Sequence, residues 1–317
     1  MKIQLSLATA NLGTTESGQT GSTQSLNAFS QLLSPTLQAK YTDRLINGPK
    51  LLQICHDACM KFQIQPTLGE SGIFIACYQE LDKFRKMESF ESVWKEKGWS
   101  CVSGRKNITG ILVAIKNVSI AASVLGTNDT PKSMPEFPEC MKDRAIVIAL
   151  SDSNRKVTRS SFKFDLKCLV VSYHGNRLSG SKKCLSHVLD WIGAVRDEFK
   201  VPVWVMGDFN EKWSECAETL ETWNSDCREP ISQIAYVPHR RLSLTDNVCE
   251  NVIDFALCAN AKHGRHSIEC KSLDPRHKCL DMADTVRQCV TGMSKVLDKR
   301  FFDHDLVMHQ ASLQTSE

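Results

Sequence analysis

Residues 203–210 read Val-Trp-Val-Met-Gly-Asp-Phe-Asn, an apolar run that ends in a short polar segment. Together with Val201, the apolar part is typical of a buried strand. Gly207 allows a close approach of the backbone, and Asp208 and Asn210 are expected to project to the same side of an extended segment. The stretch therefore predicts a buried strand that presents two polar functional groups at its carboxyl end.

Other apolar runs along the chain also end in polar residues. Strands are predicted at residues 3–7, 72–77, 107–115, 144–150, 162–173, 251–258 and 306–308, with a hairpin joining the fourth and fifth. The polar residues at their ends are Asn11, Gln79, Glu80, Tyr173, His174, Asp254, Asp303 and His304. Sites in α/β proteins gather at strand ends, because the sheet fixes side chains from distant parts of the sequence. We therefore expect these residues to form one site.

The order of the predicted elements indicates the fold class. Helices are predicted at residues 49–62 and 182–199, each with apolar residues at the spacing of one helix face. Strands alternate with helices early in the chain and meet as a hairpin in the middle. This mixture suits an α/β protein with two mixed β-sheets packed face to face and helices outside. The sequence has no internal repeat, so residues 1–317 are predicted to form a single domain.

Composition restricts the class of protein without naming a partner. The formal net charge of +3 is too mild to indicate a nucleic-acid binder, and it does not repel a phosphate-rich substrate. No run approaches the roughly 18 apolar residues of a membrane span. Several of the 14 cysteines lie in apolar runs, where thiols act as small core residues, and no Cys-x-x-Cys pair occurs. We therefore expect an intracellular protein, cytoplasmic or nuclear, with reduced thiols.

The polar residues at the strand ends suit the hydrolysis of a phosphate ester. This reaction needs a cation for the phosphoryl oxygens, a group that orients water, donors for the developing charge and an acid for the leaving oxygen. Asp, Glu and Asn supply hard oxygen ligands, which favour Mg²⁺ or Mn²⁺, and His transfers protons near neutral pH. Asp254 lies within an apolar run and needs a partner, for which His304 is the candidate.

The ordered set of motifs resembles the endonuclease/exonuclease/phosphatase superfamily, which includes deoxyribonuclease I. The motifs are Asn11-Leu12-Gly13, Gln79-Glu80, His174, Gly207-Asp208-Phe209-Asn210, Ile253-Asp254-Phe255 and Asp303-His304, and they span most of the chain. The resemblance implies a four-layered α/β sandwich and a divalent-metal-dependent phosphoesterase. It also implies that Glu80, with Asn11 and Asp303, would hold Mg²⁺ or Mn²⁺.

The resemblance implies catalytic roles for the other matching residues. Asp208 would orient or deprotonate the attacking water, and Asn210 would bind a phosphoryl oxygen. His304, braced by Asp254, would stabilise the transition state. His174 would protonate or hydrogen-bond the leaving oxygen. The neighbouring Tyr173 is predicted to bind the substrate.

The sequence departs from the family pattern at three places. Ala10 and Phe302 stand where an aromatic residue and a serine are usual, and Glu211-Lys212-Trp213 stands where small residues and proline are frequent. None of these changes removes a catalytic group. The Gly-Asp-Leu-Asn-Tyr-Arg segment expected of inositol polyphosphate phosphatases does not occur in the sequence.

A basic segment follows Asp254 and includes Lys262 and Arg265. It indicates either a loop that grips a nucleic-acid backbone beside the site or a solvated loop. Its histidines and cysteines match the spacing of no standard zinc site. If this basic segment binds a nucleic-acid backbone, it favours a nuclease acting on DNA or RNA.

Two other functions remain open at this point. A phosphatase or phosphodiesterase of a small molecule or lipid headgroup would use the same catalytic groups. A catalytically inactive binding scaffold of the same fold would show the loss of a metal ligand or of the Asp303-His304 pair, and the sequence keeps all of these residues.

Overall fold

The architecture comes from a computed structural model of the chain. It describes residues 1–11, 71–79, 95, 98–106, 109–125, 134–152, 166–176, 182–211, 213–226, 232–233, 254–261, 263–270 and 307–315. The helices are α1 (Lys182–Phe199) and α2 (Trp213–Asp226). The strands are β1 (Lys2–Asn11), β2 (Gly72–Gln79), β3 (Ser100–Lys106), β4 (Thr109–Lys116), β5 (Ile120–Leu125), β6 (Ala145–Asp152), β7 (Leu166–His174), β8 (Val203–Asp208), β9 (Ser232–Gln233), β10 (Asp254–Ala259), β11 (His266–Cys270) and β12 (Val307–Thr315).

The strands form two six-stranded sheets. The first sheet has the strand order β11-β12-β1-β2-β4-β3, and the second has the order β5-β6-β7-β8-β10-β9. Each sheet has a central parallel pair, β1 with β2 and β7 with β8, and its other neighbouring strands are antiparallel. Both sheets are therefore mixed, as the sequence predicts.

Strand β8 shows how the sequence fixes the layers. Trp204 and Met206 pack into an apolar cluster with residues of the first sheet, such as Leu5. Val203 and Val205 pack into a second cluster on the opposite face. Successive side chains of a strand point to opposite faces, so a strand that is buried on both sides reads as a continuous apolar run.

Helices cover the outer face of the second sheet. The apolar side of α1 packs into the second cluster through residues such as Leu189 and Ile192. Helix α2 lies beside α1, and Trp223 Nε1 donates a hydrogen bond to Asp190 Oδ1 at 2.8 Å. On the outer face of the first sheet, Phe74 of β2 has no exposed surface.

The predicted fold class, an α/β sandwich of two mixed sheets with helices outside, is confirmed. The described residues supply three layers of the expected four, and the predicted helix at residues 49–62 lies outside them. Sequence reasoning missed β3, β5, β9, β11 and α2. The prediction of a single domain stays a prediction. Within the described part of the chain, no helix is long and apolar enough to span a membrane.

A chain of buried hydrogen bonds crosses between the sheets close to their common edge. Thr9 Oγ1 donates to Gln79 Oε1 at 3.3 Å, and Gln79 Nε2 donates to Ser172 Oγ at 3.3 Å. The hydroxyl groups of Ser172 and Thr109 lie 2.7 Å apart, and Thr109 Oγ1 donates to the carbonyl of Tyr78 at 3.1 Å. Since Thr109 uses its proton on that carbonyl, Ser172 is the donor between the two hydroxyl groups. The buried polar groups thus satisfy one another in series.

We predict that Ser172→Ala lowers the free energy of unfolding by about 1–3 kcal/mol, because Gln79 Nε2 would lose its hydroxyl acceptor in a buried position. Urea denaturation at constant pH measures the change. Ser225→Ala is the matched control, since Ser225 lies exposed near the end of α2 and its hydroxyl donates to the carbonyl of Thr222 at 2.7 Å. Equal stability of both variants would show that the buried hydrogen-bond chain contributes nothing.

Candidate functional site

Four of the predicted site residues meet at one edge of the sandwich. Asn11 ends β1, His174 ends β7 and Asp208 ends β8. In the strand register His174 lies beside Asp208, and Asp254 lies opposite Asp208 because β10 runs antiparallel to β8. Residues that are far apart in sequence are thereby brought together, as the strand-end pattern predicts.

The carboxylate of Asp208 lies at the centre of this group and has no exposed surface. Asn11 Nδ2 donates to Asp208 Oδ2 at 2.7 Å and thereby links the two sheets. The backbone N–H of Asn210 donates to Asp208 Oδ1, also at 2.7 Å. A buried carboxylate needs such donors to replace water. Asp208 is therefore held rigidly by groups from both sheets.

The chain turns immediately after Asp208. Asn210 has a φ of 54°, in the left-handed region that asparagine tolerates better than most residues. Its N–H reaches back to the Asp208 carboxylate, and its side-chain Nδ2 donates to the carbonyl of Gly175 at 2.9 Å. The expectation that Asp208 and Asn210 share one side of an extended segment is therefore wrong. The turn nevertheless places Asn210 next to the Asp208 carboxylate, so that both residues lie in the site.

Two glycines allow the ends of β7 and β8 to approach closely. A Cβ atom on Gly207 would lie 1.9 Å from the carbonyl oxygen of Tyr173, and Gly207 has a φ of 154°. A Cβ atom on Gly175 would lie 1.8 Å from the carbonyl oxygen of Phe209. The N–H of Gly175 donates to the carbonyl of Asp208 at 2.7 Å. No other residue fits at either position without separating the strands.

Arg144 belongs to the site, and sequence reasoning missed it. Its Nη1 donates to the carbonyls of His174 at 3.1 Å and Gly175 at 2.9 Å, and it lies 3.5 Å from His174 Nδ1. The feature of the sequence that could have identified Arg144 is the predicted hairpin of residues 144–150 and 162–173. Because β6 and β7 are antiparallel, the residue that precedes β6 lies at the edge where β7 ends.

His174 is buried, and its ring lies between a cation and an anion. Nδ1 faces the Arg144 guanidinium, whereas Nε2 lies 3.8 Å from Asp208 Oδ2. The latter distance is too long for a direct hydrogen bond. The ring therefore lies between Arg144, which precedes β6, and Asp208, which ends β8.

Tyr173, which was predicted to bind the substrate, packs in the apolar core and does not enter the site. Its ring is 1% exposed and lies in the apolar cluster beneath α1, in edge contact with Phe209 at 5.2 Å between ring centroids. Phe209 in turn stacks on Phe255 at 3.9 Å. Burial raises the pKa of Tyr173 above its usual value, with Cys140 nearby acting in the same direction. Successive strand residues point to opposite faces, so Tyr173 packs in the core while His174 enters the site.

The predicted metal ligands are only partly described. Asn11 lies in the site, whereas Glu80, Asp303 and the catalytic candidate His304 lie outside the described residues. Asp254 is buried opposite Asp208, and its expected pairing with His304 stays a prediction. Within the ranges that the structure describes, no group of three or more His, Cys, Asp or Glu residues could hold a metal ion.

The structure does not bring Arg265 to the edge of the sandwich where Asp208 lies. Strand β10 starts opposite Asp208 and leads away from it to Ala259, which pairs with Val203 at the other end of β8. Arg265 follows that end, and six strand residues correspond to roughly 20 Å. Lys262, the other residue of this segment predicted to bind the substrate, lies outside the described residues.

Comparison with known proteins finds likeness among solved structures alone. No family model and no curated protein matches the sequence. An endonuclease/exonuclease/phosphatase from Bacteroides vulgatus is 14% identical, with 100% of both chains covered and a TM-score of 0.47. The human Nocturnin catalytic domain is 12% identical, with 99% of this chain and 95% of that chain covered and a TM-score of 0.45. TDP2 from D. rerio, in complex with a single-strand DNA product, is 11% identical, with 98% and 99% covered and a TM-score of 0.41.

This chain is similar to proteins of the endonuclease/exonuclease/phosphatase family. At these identities and TM-scores the likeness says nothing about substrate or metal.

We predict that Gly207→Ala lowers the free energy of unfolding by about 3 kcal/mol or more, because the methyl group overlaps the Tyr173 carbonyl. Gly98→Ala is the matched control. Gly98 also has a positive φ, 80°, but no atom lies within 4 Å of its added Cβ, so that variant should lose only about 1–2 kcal/mol. Urea denaturation of both variants measures the difference. Equal losses would mean that β7 and β8 can separate without cost.

We predict that Arg265→Ala leaves the cleavage of any nucleic-acid substrate unchanged, since Arg265 lies at the end of β10 that is remote from Asp208. The measurement is kcat/KM at low and at high salt. A phosphate contact removed by this substitution would lower the affinity and flatten its salt dependence. That outcome would restore Arg265 to the substrate-binding surface.

Proposed function

We propose that this protein is a divalent-metal-dependent phosphoesterase that hydrolyses phosphodiester bonds, with nucleic acid as its substrate. The single observation that carries the proposal is the Asp208 carboxylate, which is fully buried, hydrogen-bonded by Asn11 and Asn210 and adjacent to His174. A structural carboxylate needs the donors but not a neighbouring imidazole and guanidinium at the same edge. A carboxylate that orients water for attack on phosphorus needs both a fixed position and donors nearby.

The donor atoms at the site fit a hard cation. Asn11 uses its Nδ2 on Asp208, which directs its amide oxygen away from that carboxylate. Amide and carboxylate oxygens are ligands that suit Mg²⁺ or Mn²⁺. Asn11, with Glu80 and Asp303, would hold the ion, and the ion would supply charge neutralisation for the phosphoryl oxygens. Asp208, as a base or orienting group, would act on the attacking water.

Support for nucleic acid comes from the sequence. The complete motif set and the lack of the Gly-Asp-Leu-Asn-Tyr-Arg segment favour a nuclease over a phosphatase of inositol polyphosphates. Arg265 no longer supports this choice, because it lies at the far end of β10. A compact phosphorylated molecule or a lipid headgroup is the alternative substrate for the same groups.

The thiols support a reducing compartment, and we propose that the protein acts inside the cell. Four of the described cysteines are buried, namely Cys77, Cys168, Cys216 and Cys258. Burial raises the pKa of Cys77 and Cys168 well above the usual thiol range. These residues serve as small apolar core residues and not as parts of a disulfide framework.

The decisive assay compares supercoiled plasmid, single-stranded RNA and bis-p-nitrophenyl phosphate, each with Mg²⁺, Mn²⁺ or EDTA. We predict metal-dependent cleavage that Asp208→Asn reduces at least about 100-fold, the usual scale for losing a catalytic base. Asp226→Asn, on the exposed end of α2, is the matched control and should retain full activity. Cleavage that persists in EDTA, or an active Asp208→Asn variant, would contradict the proposal.

Salt and metal binding separate the remaining functions. Cleavage of a nucleic acid should weaken steeply as the salt concentration rises, whereas a small substrate should respond less. If none of the three substrates is cleaved but calorimetry shows that Mg²⁺ or Mn²⁺ binds, the result would indicate that the substrate is a phosphorylated metabolite or lipid. If no substrate is cleaved and no metal binds, the result would indicate that the protein is an inactive scaffold.

A further inference from the structure

The Arg144 side chain makes contacts that a general role in stability does not require. Its Nη1 donates to the carbonyls of His174 at 3.1 Å and Gly175 at 2.9 Å, and it lies 3.5 Å from the ring atom His174 Nδ1. The N–H of His174 also donates to the carbonyl of Arg144 at 2.9 Å. Arg144 and His174 are thus joined through both backbone and side chain, and the guanidinium is fixed against one particular atom of the ring.

Hydrogen-bond chemistry then determines the tautomer of the ring. A guanidinium has only donors, so its contact with Nδ1 at 3.5 Å is favourable when that nitrogen carries no proton. The proton of the neutral ring is therefore on Nε2. That atom faces Asp208 Oδ2 at 3.8 Å, where a donor is favoured by the negative charge. The contacts at Nδ1 and at Nε2 therefore favour the same tautomer.

We propose that Arg144 is a positioning residue that holds His174 as the Nε2–H tautomer, so that His174 donates a hydrogen bond to a substrate oxygen and does not transfer a proton. This inference rests on the proposed function. Sequence reasoning left both roles open for His174, and the Arg144 contact separates them.

Proton transfer would leave the ring in the wrong state. If a doubly protonated ring gave its Nε2 proton to a leaving oxygen, the remaining proton would be on Nδ1. That N–H would point at Arg144 Nη1, 3.5 Å away, and a guanidinium nitrogen cannot accept its hydrogen bond. The doubly protonated ring itself would place two cations against each other. Donation without transfer leaves the Nδ1 contact intact throughout the reaction.

Nitrogen NMR on the full chain tests the tautomer without any turnover. The protein has nine histidines, so ¹⁵N-histidine labelling with His174→Gln identifies the His174 signals. At about pH 8, above the ordinary histidine pKa of about 6.5, we expect an Nε2–H ring with hydrogen-bonded Nδ1. Arg144→Met should move the Nδ1 resonance and introduce Nδ1–H rings, and Arg144→Lys, which keeps a cationic donor, should restore the wild-type pattern in part. Arg196→Met, a buried arginine on α1, is the control and should leave the His174 signals unchanged.

Two substitutions of His174 test the donor role on the nucleic-acid substrate that the enzyme cleaves. The amide of glutamine reaches the position of Nε2, whereas the amide of asparagine reaches only that of Nδ1. We expect His174→Gln to keep kcat within about tenfold of wild type, and His174→Asn to lose the roughly 10²–10³-fold that one such donor contributes. A residue that transfers a proton would be replaced by neither amide.

The outcomes are distinguishable. An Nδ1–H ring in the wild type, or His174 signals that Arg144→Met does not move, would overturn the positioning role. Equal losses for His174→Gln and His174→Asn would overturn the donor role. A protein that shows the expected spectra but no metal-dependent hydrolysis would reject the proposed function and leave the tautomer assignment standing.

Discussion

The hydrogen bond from Asn11 Nδ2 to Asp208 Oδ2 joins the two sheets at the edge where the site lies. Asp208 has no exposed surface, so its carboxylate is tolerated only where donors replace water. Asn11 supplies one donor from the first sheet, and the turn at Asn210 supplies another from the second. The site therefore forms only when the two sheets are packed in this relative position. The hydrogen bond between Asn11 and the Asp208 carboxylate also holds the sheets together at this edge.

The fold could be predicted from the sequence wherever both faces of an element are buried. Continuous apolar runs identified β2, β7 and β8, and the apolar periodicity of α1 gave its two ends. Strands β3 and β5 escaped because they lie at the edges of their sheets. The four central residues of β5 are only partly buried and show no alternation, so neither period is visible in its sequence. Such strands are specified by their partners more than by their own pattern.

Site residues that end a strand could be predicted from the sequence. Residues whose position depends on whether neighbouring strands run parallel or antiparallel could not. Asn11, His174 and Asp208 follow apolar runs, and the structure brings them together. Arg144 precedes its strand, so it was found only once the antiparallel pairing was known. Arg265 was misplaced for the same reason. A residue that follows Asp254 by one strand lies at the opposite edge, however close it is in sequence.

Three consecutive residues of β7 show why the core and the site are not independent. Ser172 points between the sheets into the hydrogen-bond chain with Gln79 and Thr109, and Tyr173 points to the helices. His174 returns to the sheet interface and enters the site. Each pairs with one residue of β8, and Gly207 opposite Tyr173 keeps the two strands close. A shift of one residue in this register would move His174 to the helix side and bury Tyr173 against Asp208. The hydrogen-bond chain and the glycine therefore stabilise the register on which the geometry of the site depends.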